Sequence, residues 1–237
     1  MFRKKLESSA VPLRYPSEPK CPVILVLDNS GSMDGEPSVE LRKGLKKFLK
    51  DLRKDDLARK RVEISVVLFS DSAKQILPFS TVDLVNEDSL MMDPNGKTAM
   101  GEAILFAISR IEERKLDYSK NGIQYFRPWI WLMTDGSPTD MHPEGNEQMK
   151  TEWKVVTEKV HEGVRNGKFL FFAVGIEDAD MDILRDISVE PPIRMNEQKF
   201  SEMFDWLSKS IASTSRSSTS EQIRLDPTDS WGKRVVK

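Results

Sequence analysis

Five consecutive apolar residues, Val23-Ile24-Leu25-Val26-Leu27, stand directly before Asp28. Such a run carries no polar alternation, so it describes a strand buried on both faces. A strand of that kind belongs in a mostly parallel sheet, whose crossover helices cover both sides. Trp129-Ile130-Trp131-Leu132-Met133 and Phe169 to Val174 repeat the pattern. Stretches with apolar residues at helical spacing lie between these runs. The expected class is α/β, with ligand-binding loops at the carboxyl ends of the strands.

The chain opens with a lead-in over residues 1–20, marked by Pro12, Pro16 and Pro19. Cys21 to Leu27 is the first strand. Pro37 suits the first turn of a helix, where its missing N–H is harmless. Leu41, Leu45, Phe48, Leu49 and Leu52 give that helix one buried face, and Gly44 would allow close approach to the sheet. The helix is expected to fade in the charged run Arg53 to Lys60. Val62 to Phe69 makes a second strand, with Glu63 and Ser65 alternating at its start. Asp71-Ser72 turns it into a short antiparallel return, Lys74 to Leu77, ended by Pro78.

A polar connection over 79–97 leads to a helix from Met100 through Ile111, and Lys115 to Arg127 reads as a charged loop. Trp129 and Trp131 lie on one face of the third buried strand and are expected in the core. Trp153, Val156, Val160 and Val164 mark another helix. Met181 to Ile187 is a short helix, Ile193 to Met195 a weak edge strand, and Phe200 through Ile211 the last amphipathic helix. Ser208 to Ser220 reads as a Ser/Thr-rich linker, with phosphorylation the less favoured reading. The tail after it carries Ile223, Leu225, Trp231, Val235 and Val236. Trp231 is either an anchor docked on a core or a residue of a loose tail. The domain limits read as lead-in 1–20, one domain 21–212, and linker and tail 213–237.

The length of 237 residues allows one large α/β domain or two small ones. Charged residues make up 31 % but nearly cancel, to a net charge of -2, so no global field points to nucleic acid or membrane. Lys46, Lys47 and Lys50 read as a solvated helix face, balanced by Glu40 and Asp51. The single cysteine, Cys21, excludes an intrachain disulfide and reads as a small buried hydrophobe. No signal-peptide run occupies residues 1–20, and no stretch approaches ~20 apolar residues. These features point to a cytoplasmic protein.

Three oxygen-rich clusters sit at strand ends or helix starts: Asp28, Ser30 and Ser32; Thr98; and Asp135. Isolated Ser, Thr and Asp residues there are ordinary helix caps. Together they suit a hard cation such as Mg²⁺, which takes oxygen ligands and keeps several waters. The three hydroxyls can bind directly, while Asp28 and Asp135 supply charge, directly or through water. A metal held mainly by neutral ligands stays electrophilic and seeks an external carboxylate. Asp34 and Glu36 read as solvated loop residues, with the rim of the site as the less favoured place. His142 could edge the same surface, and His161 reads as a helix surface residue. One cysteine and two histidines make no zinc pattern.

Asp28-x-Ser30-x-Ser32 with Thr98 and Asp135 resembles the metal-ion-dependent adhesion site (MIDAS) of von Willebrand factor type A (VWA) domains, over roughly residues 21–212. The resemblance implies a Rossmann-like, doubly wound, mostly parallel central sheet with one antiparallel edge strand and helices on both faces. It also implies Ser30, Ser32 and Thr98 as direct ligands of Mg²⁺, with Mn²⁺ or Ca²⁺ as substitutes, and Asp28 and Asp135 acting through water. A partner's Glu or Asp would complete the shell. Leu27 to Met33, Gly35-Glu36-Pro37, Met133 to Asp140 and Ala173-Val174-Gly175-Ile176 look like the bacterial TerY group, associated with tellurite resistance. That likeness implies a stress or defence complex with a PP2C-type phosphatase and a protein kinase.

An enzyme is the competing class. A metal-dependent phosphohydrolase with Asp28 as nucleophile would be expected to carry a second carboxylate two residues on, where this chain has Ser30. Ser30 lacks the Gly-x of a nucleophile elbow, and the first loop is not Gly-x-Gly-x-x-Gly. The balance favours a non-enzymatic interaction module.

Overall fold

The structure is a computed structural model, and it describes residues 13–196, 198–219 and 225–236. Pro12 and Ile223, named above in the lead-in and tail, lie outside those residues. Among these residues seven strands form one sheet, in the order β3-β2-β1-β4-β5-β6-β7. Strands β1 (Cys21–Asp28), β2 (Val62–Phe69), β4 (Trp129–Thr134), β5 (Leu170–Gly175) and β6 (Ile193–Met195) pair in parallel. The expected antiparallel edge is β3 (Ala73–Thr81). The opposite edge is also antiparallel, because the tail adds β7 (Gly232–Arg234) against β6.

The unbroken apolar runs divide between two layers by simple alternation. Val23, Leu25, Leu27, Trp129 and Trp131 face α1 (Glu36–Lys54), the short α2 (Ala58–Arg61) and α6 (Phe200–Arg216). Ile24, Val26, Ile130 and Leu132 face α3 (Met100–Lys120), α4 (Glu147–Arg165) and α5 (Met181–Ile187). Both tryptophans of β4 are core residues, and Cys21 is buried, with its thiol pushed up to about 12 by desolvation. The chain from β1 crosses to one layer and the chain from β4 to the other. A crevice therefore opens between these neighbours at their carboxyl ends.

Several local expectations are corrected. β3 continues through Pro78 to Thr81, because an edge strand can turn a missing N–H to solvent and a register shift absorbs the irregularity. Gly44 does not approach the sheet. A Cβ there would stand 2.5 Å from Phe204, so the glycine permits close packing of α1 on α6. The charged segment from Lys115 is helical to Lys120. Its helix holds Arg114 and Tyr118 over Glu63, which is buried and not on a solvated face. Arg114 donates to both Glu63 oxygens, at 2.7 and 2.8 Å, and Tyr118 donates at 2.6 Å.

The Ser/Thr-rich segment is not a linker over its first half. α6 runs to Arg216, with Ser208, Ser210, Thr214 and Ser215 buried. Their hydroxyls are tolerated because several bond back to carbonyls of the helix, as Thr214 does to Ser210 at 2.9 Å. The open question over Trp231 closes in favour of docking. Its ring is fully buried, 5.6 Å from Trp206 and 6.1 Å from Trp131 between centroids. Asn196 donates to its carbonyl at 2.8 Å, which fixes the tail beside β6. Replacing Trp231 with Ala is expected to destabilise the protein by about 3–5 kcal/mol in a urea titration, as for other buried tryptophans.

Candidate metal centre

The crevice between β1 and β4 collects the oxygen-rich residues. Asp28 ends β1 and Thr134 ends β4, and the Thr134 hydroxyl donates to Asp28 Oδ2 at 2.6 Å. The backbone N–H of Ser30 donates to Asp28 Oδ1 at 2.9 Å. Both carboxylate oxygens are therefore engaged, and the side chain is almost fully buried. Ser32 is exposed at the mouth. Its hydroxyl donates to Asp135 Oδ1 at 2.8 Å and stands 3.1 Å from that of Ser30. Asp28, Ser30, Ser32 and Asp135 thus form one connected group, although 103 positions separate Ser32 from Asp135.

Thr98 joins from a third loop. Its backbone is held by Thr139, whose hydroxyl accepts from the Thr98 N–H at 3.1 Å, while the Thr139 N–H donates to the Thr98 carbonyl at 2.9 Å. The Thr98 hydroxyl lies 4.0 Å from where a Cβ on Gly136 would sit, beside Asp135. Thr98 is only 7 % exposed, yet its hydroxyl takes no hydrogen bond among the described residues. Gly96 makes the preceding turn with a φ of 73°, and a Cβ there would come within 2.8 Å of the Asp71 carboxylate. The Asn29 side chain donates to Asp93 O at 2.9 Å, the Asn29 main-chain carbonyl accepts from the Asn95 N–H, and the Gly31 N–H donates to Gly96 O. The first and third loops are tied together this way.

Desolvation raises the pKa of Asp28 above the ordinary carboxylate value. Asp135 is raised for the same reason, against the Ser32 hydrogen bond, with Glu177 and Asp178 adding repulsion. Two carboxyls whose ionisation burial penalises and three hydroxyls, at a crevice open at Ser32, are oxygen donors that a small hard cation would satisfy. No group of three His, Cys, Asp or Glu side chains gathers as a metal cluster among the described residues. A cation at this edge would thus depend on the hydroxyls.

Asp34 and Glu36 are exposed beside the crevice. His142 lies in the β4–α4 loop, where its Nδ1 accepts from Glu144 N–H at 3.1 Å. His161 is elsewhere, in the second half of α4, lining a cavity of about 520 Å³ with Arg185, Val189 and Val235. Sequence reasoning missed the positioning residues Asn29, Thr134, Thr139 and Asp140. Asp140 accepts from Gly101 and Glu102 at the start of α3, at 3.1 and 2.8 Å. The signal was Ala99, a helix start with no capping side chain of its own.

The profile of the von Willebrand factor type A domain matches residues 23–213. The chain belongs to this family. VWA domains are a family of metal-dependent protein-interaction modules whose MIDAS motifs bind divalent cations. A curated relative, the mouse inter alpha-trypsin inhibitor heavy chain 4, is 30 % identical over 162 residues, which is 65 % of this chain. The matched part is 15 % of that much longer protein. Among solved structures, the pilus adhesin SpaC of Lactobacillus rhamnosus GG aligns over 83 % of this VWA chain and 30 % of its own, with a TM-score of 0.64 and 15 % identity. Proximal thread matrix protein 1 of the mussel byssus, solved with zinc occupying its MIDAS motif, aligns over 82 % and 48 %, with a TM-score of 0.55 and 20 % identity. These two likenesses show the shared VWA fold.

Calorimetric titration with Mg²⁺ should show binding to the wild type and none to the Ser30→Ala, Ser32→Ala double variant. The substitutions remove one hydroxyl at the exposed mouth, Ser32, and one buried beneath it, Ser30, and leave the Ser30 N–H bond to Asp28 in place, so unfolding stability should fall by only about 1–2 kcal/mol.

Proposed function

We propose that Asp28, Ser30, Ser32, Thr98 and Asp135 hold a divalent cation, with Mg²⁺ as the resident metal and Mn²⁺ or Ca²⁺ able to replace it. The cation would supply an electrophilic position for a carboxylate. The observation that carries this reading is the connected group of Asp28, Ser30, Ser32 and Asp135, with the unpartnered Thr98 hydroxyl beside it. Zinc in the MIDAS of the byssus protein supports a divalent occupant. The module would bind a protein that offers a Glu or Asp to the metal, and it would scaffold rather than catalyse. Asp28 makes a poor nucleophile for the competing phosphohydrolase, because it is buried and both its oxygens are taken.

The finer reading places the chain in a bacterial, TerY-like stress or defence assembly with a PP2C-type phosphatase and a protein kinase, in the cytoplasm. The support is the motif set Leu27 to Met33, Gly35-Glu36-Pro37 and Met133 to Asp140. No described helix is long and apolar enough to cross a membrane. Affinity purification from the native host should recover a partner in Mg²⁺ and lose it in EDTA. Asp28→Ala should lose it as well, with circular dichroism unchanged. Recovery of the same partner in EDTA, or by the double serine variant, would sink the proposal. A screen for Mg²⁺- or Mn²⁺-dependent phosphatase turnover should stay at background, and turnover lost in Asp28→Asn would favour the enzyme instead.

A further inference from the structure

The loops around the crevice are strongly acidic, although the chain as a whole is almost neutral. Asp34 and Glu36 follow β1, Asp71 lies in the β2–β3 turn, and Asp93 precedes α3. Glu177 and Asp178 follow β5. All six are exposed, and none is ion-paired among the described residues. Lys97 is the one Lys or Arg in the loops 29–35, 70–72, 82–99, 135–146 and 176–180. Arg194 reaches toward this edge from β6, but it donates to the main-chain carbonyl of Glu177, at 3.0 Å.

Farther along α1 and α3 the acids are paired. Beyond the first turns of α1 and α3, every acid of those helices has a cation. Glu40 pairs with Lys43, Asp51 with Lys47, Glu112 with Lys115, Glu113 with Arg110, and Asp117 with Arg114. The rim acids Asp34, Glu36, Asp71, Asp93, Glu177 and Asp178, unlike those of α1 and α3, stand without a cation beside the candidate centre. A divalent cation there would match the charges of Asp28 and Asp135 and leave the six rim carboxylates uncompensated. Thr98, a residue only 7 % exposed whose hydroxyl is unpartnered among the described residues and lies 4.0 Å from where a Cβ on Gly136 would sit, independently marks the same spot as a ligand position.

We propose that the partner of this face is a protein surface rich in Lys and Arg around one central carboxylate. This rests on the metal–carboxylate reading above and adds what must surround the carboxylate. The single acid would reach the metal, and the flanking cations would meet Asp34, Glu36, Asp71, Asp93, Glu177 and Asp178. A partner with an acidic or neutral surround would face unrelieved repulsion or gain nothing from the rim. Exposed charges act over roughly 8–10 Å at physiological salt, so such a preference is strong at low salt and fades as salt rises.

The test uses the full chain with Mg²⁺ over sensor surfaces coated with three synthetic peptides. One has a central Glu flanked by lysines, one the same Glu flanked by serines, and one Gln flanked by lysines. The lysine-flanked Glu peptide should retain the protein about fivefold better than the serine-flanked one at about 50 mM salt, and the gap should close at about 500 mM. The triple variant Glu36→Gln, Asp93→Asn, Asp178→Asn should erase the gap while still binding Mg²⁺ in the calorimeter. Equal retention on the two Glu peptides, or a gap that survives in the triple variant, would overturn the inference. Equal retention on the Gln and Glu lysine peptides would instead support the charge preference and overturn the metal–carboxylate reading.

Discussion

One hydrogen bond sets the geometry on which the candidate centre depends. Thr134 at the end of β4 donates to Asp28 at the end of β1, across the point where the two chains part to opposite layers. The bond locks the Asp28 carboxylate into the sheet and leaves it without a cation of its own among the described residues. The first loop then wraps over it, with the Ser30 N–H on the other carboxylate oxygen. That wrap brings the Ser30 and Ser32 hydroxyls together and carries Ser32 to Asp135. The register Leu27 with Met133 is what makes these contacts possible. A slip of one residue would send every side chain of β1 to the wrong face and take Asp28 out of reach.

Much of this was legible in the sequence, for physical reasons that differ by element. The central strands are buried on both faces, so they had to be unbroken apolar runs, and such runs can be found by eye. The five oxygen residues were legible because few structural demands place Asp, Ser, Ser, Thr and Asp at those strand ends and helix starts together. The second half of α3 was not legible. Arg114 and Tyr118 face a buried acid, so the inward face there looks as charged as a solvated one. β7 carries only Gly, Lys and Arg, because an edge strand of three residues has no apolar face to show. The positioning residues Thr134, Thr139 and Asp140 were hidden too, since their value lies in contacts across 38 or more positions.

The tail shows how a polar sequence can still belong to the core. Trp231 closes a cluster with Trp131 and Trp206, so it joins a central strand to the last helix. The Trp206 indole N–H reaches the Asp226 carbonyl at 3.1 Å, which adds a second tether. The tail thereby covers β6, a strand of three residues that would otherwise expose its edge. α6 is thus held from both sides, by Gly44 and Phe48 on α1 and by the tail.

The two ends of the sheet treat buried acid differently, and the contrast separates structure from function. At the amino end of β2, Glu63 receives two guanidinium N–H groups and a phenol, all from α3. That network is complete within the chain, so its role ends with holding α3 on the sheet. At the carboxyl end of β1, Asp28 has a hydroxyl and an amide, and Asp135 has a single hydroxyl. Neither group supplies positive charge, and burial penalises ionisation of both carboxylates. Buried anions ordinarily acquire a cation, because leaving them uncompensated costs more than the surrounding hydrogen bonds return. The fold spends an arginine on Glu63 and withholds one from Asp28. A centre built that way is suited to take its positive charge from solution and to lend part of that charge to another protein.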